Sequence, residues 1–173
     1  MTLQEVSFEE YLAVSTLTFE WADSYDTKDW NRLARSLAPQ LEVDYTPVSG
    51  MKWAAISSSD FIKMCSSLKF LGSKCFISQH NIGASKYTKV SSSKIVGTHQ
   101  LRAAHTLYGD TSKATVIIKG DFHGVVRLTY SKSEDGIWKF AGLSPTVYGV
   151  EHSSIDELMG TIAARVESGE LVD

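Results

Sequence analysis

The chain has 173 residues, 43% of them hydrophobic, with 17 basic against 20 acidic side chains and a formal net charge of −3. That length predicts one domain, 1–173, with a core large enough to need no disulfide or metal staple. The two signs are mixed and form no basic stripe, which argues against nucleic acid and anionic membrane as partners, and no stretch approaches the ~20 apolar residues of a membrane span.

Met1-Thr2-Leu3-Gln4-Glu5-Val6 has neither a basic region nor a long apolar run. It does not read as a signal peptide, so a soluble cytoplasmic protein is expected. Ser7-Phe8-Glu9-Glu10 is a capping box. The helix it opens is apolar at Phe8, Tyr11, Leu12, Val14, Leu17, Phe19, Trp21, Ala22 and Tyr25. So broad a stripe predicts a largely buried helix. Asp26 or Thr27 then caps a second helix, which ends at Ala38-Pro39. Tyr25 and Asp26 therefore fall at a helix–helix junction, where side chains are open to view.

Leu41-Glu42-Val43-Asp44-Tyr45 alternates with period two and predicts a strand with Tyr45 on its apolar face. Ser58-Ser59-Asp60 opens a third helix, with Phe61, Met64, Cys65 and Leu68 on one side. Cys65 in that stripe reads as a small buried hydrophobe rather than a nucleophile, and Cys65 and Cys75 lack metal spacing. From Cys75 on, the pattern is strand after strand: Phe76 to Ser85, Ile95 to Tyr108, Ala114 to Tyr130, and, after the Asp135-Gly136 turn, Ile137 to Leu143. Ser154-Ile155-Asp156-Glu157 is a second capping box before a helix that stops at Gly169. Helices followed by long strands predict an α+β fold, a curved antiparallel or mixed sheet closed by helices.

Parity assigns faces. Ile95, Gly97, His99, Leu101, Ala103, His105 and Leu107 share one. Phe122, Gly124, Val126 and Leu128 share the apolar face of the next strand, opposite Asp121, His123 and Arg127. An isolated histidine on an apolar face is more often a hydrogen-bonded core residue than a catalyst. His80 and His105 together, however, are natural parts of a proton-transfer site. His99 reads as structural. Asp121 and His123 have no third ligand spaced to make a metal site, and His152 is expected at the surface.

Three segments resemble the scytalone dehydratase family of fungal melanin and polyketide pathways. They are Glu20-Trp21-Ala22-Asp23-Ser24-Tyr25-Asp26-Thr27-Lys28-Asp29-Trp30, then His99-Gln100-Leu101-Arg102 with His105, and Gly136-Ile137-Trp138-Lys139-Phe140-Ala141-Gly142-Leu143. The likeness runs from about Phe8 to Pro145. It implies a cone-shaped α+β barrel of the nuclear-transport-factor-2-like type, a homotrimer, and a pocket under the C-terminal helix. It implies no cofactor or metal, and a cytoplasmic or vesicle-associated place in a fungal pathway. The implied chemistry is loss of water from a cyclic hydroxy-ketone. Tyr25 and Tyr45 would polarise the ketone, His80 would move the proton beside it, and His105, supported by Asp26, would help the hydroxyl leave. Val48, Met64, Phe122, Gly124 and Val126 would line the substrate pocket. Without the resemblance, Tyr25 reads as the last apolar residue of the first helix and Asp26 as the cap of the second.

Gly124 and Val126 depart from the family, which has serine and asparagine there to hold substrate hydroxyls. Glycine is expected to leave room. A hydroxyl buried against valine would go unpaired at ~1–3 kcal/mol. A larger or less hydroxylated polyketide-type substrate is the expectation. The same groups could serve an isomerase, cyclase or decarboxylase, since each passes through a stabilised enolate. A non-catalytic ligand-binding module would have no need of both histidines.

Overall fold

Ser7 closes its capping box: its Oγ accepts from the Glu10 N–H at 3.2 Å, and the Glu10 carboxylate accepts from the Ser7 N–H at 3.1 Å. In the computed structural model, which describes residues 5–171, this begins α1 (Phe8–Thr27). Two caps differ from expectation. Lys28 takes a left-handed conformation (φ 58°) and ends α1, and Asp29 rather than Asp26 caps α2 (Trp30–Ser36), accepting from the Arg32 N–H at 2.9 Å. Asp26 is thus left in the last turn of α1 with its carboxylate free for other work. The N-terminal Met1–Gln4, part of the stretch read for a signal peptide, lies outside the described residues.

After α2 come β1 (Leu37–Tyr45), α3 (Thr46–Ser49), β2 (Met51–Ser57) and α4 (Ser58–Cys65). Pro39 sits inside β1 because no ladder bond is asked of it. Pairing with β2 starts at Gln40, and pairing with β6 is interrupted between Leu37 and Glu42. The long strands follow: β3 (Phe76–Ser91), β4 (Lys94–Tyr108), β5 (Val116–Lys132) and β6 (Trp138–His152), then α5 (Ile155–Glu167) behind its own capping box. β6 runs well past Leu143, through Pro145, to His152.

The fold is α+β. One six-stranded sheet has the order β2-β1-β6-β5-β4-β3, with β1 and β6 parallel and every other neighbour antiparallel. The sheet does not close into a barrel: β2 and β3 are its edges, a correction to the closed cone the resemblance implies. Helices cover what the strands leave open. The core lies between α1 and the inner face of the sheet, with Trp21, Leu41, Phe61, Phe76, Leu128 and Phe140 among its buried side chains. α1 is less buried than its stripe suggests. Val14, Trp21 and Tyr25 face the core, while Phe8 (73% exposed), Leu12 (56%) and Phe19 (60%), which share the opposite side at helical spacing, face outward. A helix lying on one sheet can bury only one side.

Candidate active site

Register sets the two histidines. β3 pairs with β4 so that Ser78 faces His105 and His80 faces Ala103. His80 and His105 are therefore diagonal neighbours on one face. Their ring centres are 5.7 Å apart, the planes nearly perpendicular. Both line one chamber, with a cavity volume of about 90 Å³.

The last turn of α1 lays Asp26 over the edge of the sheet. One carboxylate oxygen of Asp26 accepts from the His80 backbone N–H (2.7 Å), an edge-strand donor that would otherwise lack a ladder partner. The other lies 2.7 Å from His80 Nδ1 and 2.9 Å from Ser78 Oγ, which donates to it. Burial raises the Asp26 pKa, but the His80 ring and backbone bonds and the Ser78 hydroxyl outweigh it, and the carboxyl is held below its ordinary value. An ionised carboxylate only accepts, so His80 Nδ1 carries a hydrogen, and it is in the neutral ring that Nε2 keeps a lone pair. This corrects the sequence expectation: Asp26 bonds His80, not His105, because the last turn of α1 lies against β3, the strand that carries His80.

His105 has a different partner. Its Nδ1 lies 3.2 Å from the Gly120 carbonyl oxygen, which can only accept. Nδ1 is again the donor and Nε2 again holds a lone pair. Phe76 stacks on the ring (centres 5.5 Å apart, planes within 10°) and Phe122 lies 5.0 Å away. Burial, with the His80 charge adding to it, lowers the His105 pKa to about 3, so the imidazole is neutral at physiological pH.

Tyr25 and Tyr45 meet although one comes from α1 and the other from β1. Their hydroxyl oxygens are 3.0 Å apart. Cys65 Sγ, at the end of α4, donates to the Tyr25 oxygen at 3.3 Å. Burial pushes both phenols well above the ordinary tyrosine value, so both remain hydrogen-bond donors. Tyr25 also packs edge-on against His80, with ring centres 5.6 Å apart.

The structure thus brings Tyr25, Tyr45, His80 and His105 to one chamber, with Asp26 behind His80. Val48, Phe122, Gly124 and Val126 also line it. Met64 is not among the lining residues: α4 turns Phe61 and Cys65 to the core, and Met64, half-buried, points elsewhere. α5 contributes Ile155, Leu158 and Met159 to the lining. Gly124 leaves no room. β6 bulges opposite it, and a Cβ there would fall 2.0 Å from the Thr146 carbonyl oxygen. The space a side chain would need belongs to the β6 backbone. Trp21, 5.7 Å from the His80 ring, together with Phe76 and Ser78, was missed as part of the site. Parity with His80 could have found Phe76 and Ser78; no local pattern ties Trp21 or Cys65 to a strand histidine.

A second buried polar group lies further along the same face. Ser85 Oγ is 2.8 Å from His99 Nδ1, His99 Nε2 is 3.2 Å from the Tyr130 hydroxyl, and that hydroxyl is 2.6 Å from Thr18 Oγ1. Both nitrogens of His99 are occupied, and burial lowers its pKa to about 4. Among the described residues no three His, Cys, Asp or Glu side chains are placed to hold a metal ion, and His152 is exposed. No helix among them is long and apolar enough to cross a membrane.

Comparison with known proteins agrees with this architecture. The scytalone dehydratase family profile matches residues 5–161. Scytalone dehydratase arp1 of Aspergillus fumigatus is 44% identical over 151 residues, 87% of this chain and 89% of that protein. Scytalone dehydratase of Pyricularia oryzae is 43% identical over 143 residues, 83% of each chain. The crystal structure of the Kfla4162 protein from Kribbella flavida superposes with a TM-score of 0.70 at 19% identity, covering 83% of this chain and 93% of that one, a likeness of fold alone. On the family profile and the identity to these relatives, the chain belongs to the scytalone dehydratase family and is an enzyme.

Proposed function

We propose that the protein is a lyase that dehydrates a cyclic hydroxy-ketone of polyketide origin by acid–base chemistry of its own side chains. The observation that carries the reading is the convergence of the Asp26–His80 pair, His105 and Tyr45 on one chamber. Two relatives that carry a scytalone dehydratase name and share over two fifths of the sequence support the reaction class.

His80 Nε2 takes the proton from the carbon beside the ketone, and Asp26 stabilises the imidazolium that forms. The electrons of the broken C–H bond move onto the ketone oxygen, where a phenol hydrogen holds the enolate in a dry site. The enolate collapses, a carbon–carbon double bond forms, and the neighbouring C–O bond breaks. The leaving hydroxyl takes the proton back from His80 and departs as water. His105, neutral with its lone pair on Nε2, cannot supply that proton at rest. It accepts the hydroxyl's hydrogen and orients the group for departure. One imidazole is base and then acid, the other a positioning acceptor.

Gly124 and Val126 offer no side-chain hydrogen bond to a substrate hydroxyl, and the Thr146 carbonyl fills the space beside Gly124. A substrate with fewer hydroxyls than scytalone fits such a wall. The test is turnover of scytalone beside a less hydroxylated cyclic hydroxy-ketone, followed by mass spectrometry. The expected product is lighter by one water, formed faster from the less hydroxylated compound. A product of unchanged mass would replace the dehydratase with an isomerase or cyclase. The exposed apolar side of α1, with Phe8, Leu12 and Phe19, supports self-association into a homotrimer. Sedimentation would decide it: a monomer overturns that part.

A further inference from the structure

Cys65 does not line the chamber, yet it touches the group that does. Its thiol is fully buried at the end of α4 and donates to the Tyr25 oxygen at 3.3 Å. Tyr25 and Tyr45 in turn share a 3.0 Å hydrogen bond. Each of the three groups has one hydrogen. Three hydrogens are available for the two contacts within the chain, so one is left over. Where it is left is set by the partners already in place.

A phenol oxygen offers one hydrogen and its in-plane lone pair most readily. The Tyr25 oxygen already has two neighbours, the thiol and Tyr45. Among the described residues the Tyr45 oxygen has one, Tyr25, and its ring lines the chamber. With the thiol donating into Tyr25, the Tyr25 hydrogen goes to Tyr45, and the Tyr45 hydrogen is the one that remains. We propose that Cys65 is a positioning residue: its S–H fixes the sense of a Cys65→Tyr25→Tyr45 donor chain and thereby makes Tyr45 the phenol that donates to the substrate oxygen. The inference deepens the dehydratase reading and rests on it for its kinetic consequence. Burial holds the thiol pKa up, at about 12, so the S–H is present throughout the working range. Each link also polarises the next, so the terminal O–H is a stronger donor than an isolated phenol. No sequence rule for reactive cysteines would single out this thiol, because it works by keeping its proton.

The direct test is the S–H stretching band in the infrared spectrum of the whole protein, which needs no substrate. The wild type is expected to show a thiol band shifted to the low frequency of a donating S–H. Cys65→Val should delete that band, and Tyr25→Phe should return it to the frequency of an unbonded thiol. A band unmoved by Tyr25→Phe would overturn the proposal. Kinetically, Cys65→Val should lower kcat by about three- to tenfold, the worth of one neutral hydrogen bond, with KM and Tm nearly unchanged. Cys65→Ser, which keeps a donor, should recover most of the loss. A Cys65→Val enzyme with wild-type kcat would also overturn it. Should Cys65→Val not fold, the Tyr25→Phe infrared shift decides. If the wild type dehydrates nothing while the infrared shifts appear, the donor chain stands and the functional reading falls.

Discussion

His99 and His105 lie on one strand, on one face, and are both buried, yet they are different kinds of residue. Burial acts on them alike, lowering one pKa to about 4 and the other to about 3. Desolvation therefore does not separate a core histidine from a site histidine. What separates them is unused bonding capacity. His99 bonds Ser85 through one nitrogen and Tyr130 through the other, and Tyr87 packs edge-on with ring centres 5.3 Å away. His105 bonds the Gly120 carbonyl through Nδ1, and among the described residues no protein group bonds its Nε2. One imidazole is finished as structure. The other keeps a lone pair beside a cavity, which is what a substrate can use.

The largest expected effect breaks that contrast through the partner histidine. His80→Ala should lower kcat by about 10²–10⁴-fold, the usual worth of a positioned general acid or base, with a loss of Tm from the Asp26 carboxylate deprived of its ring partner. His105→Ala should fall in the same direction by less, because in the proposed mechanism its neutral ring orients the hydroxyl and carries no proton at rest. Tyr45→Phe should lower kcat by about 10²–10³-fold, as loss of one enolate donor does. Tyr25→Phe should cost less, since Tyr45 keeps its own hydrogen; equal losses would place both phenols on the substrate. His99→Ala should reverse the pattern, keeping most activity but losing about 1–3 kcal/mol of stability, from the buried Tyr130 hydroxyl losing one of its two partners and the buried ring leaving its space empty. Steady-state kinetics and thermal melts on the same five proteins settle the contrast. A His99→Ala enzyme that keeps its Tm but loses turnover would erase it.

Much of this contrast was legible in the sequence, and the part that was not has a physical reason. Alternation along Ile95 to Tyr108 placed His99 and His105 on one inward face, as the burial of the strand agrees. The capping boxes at Ser7 and Ser154 are local, so they read directly. β2 was missed because Met51 to Ser57 carries no alternation: it is an edge strand buried mainly at Ile56. The partner of Asp26 was missed because it depends on which strand the end of α1 meets, a tertiary fact with no local signature. The same holds for Gly124. Sequence shows a missing side chain, but only the β6 bulge shows that its space is already taken.

The smallest effect is on stability against pH, and it joins the two imidazoles again. In the unfolded chain both titrate near 6.5, whereas in the folded protein His99 titrates near 4 and His105 near 3. Between those limits the unfolded state binds protons that the folded state refuses, so stability rises with pH there. The contribution of His99 is therefore complete above about pH 6.5 and is lost progressively as pH falls toward 4. Ordinary carboxylates titrate near 3.9 to 4.3, so a decline in Tm already visible between about pH 6.5 and 5 belongs to histidines. His99→Gln keeps an amide that can bond Tyr130 but does not titrate, so it should make that decline about half as steep, His105 supplying the rest, while leaving the pH 7.5 Tm within a few degrees. The pH profile of kcat should keep its shape in this variant, because the ring removed does not line the chamber. A decline in Tm as steep as that of the wild type would mean that His99 is protonated as readily in the folded protein as in the unfolded chain, and that burial does not hold it neutral.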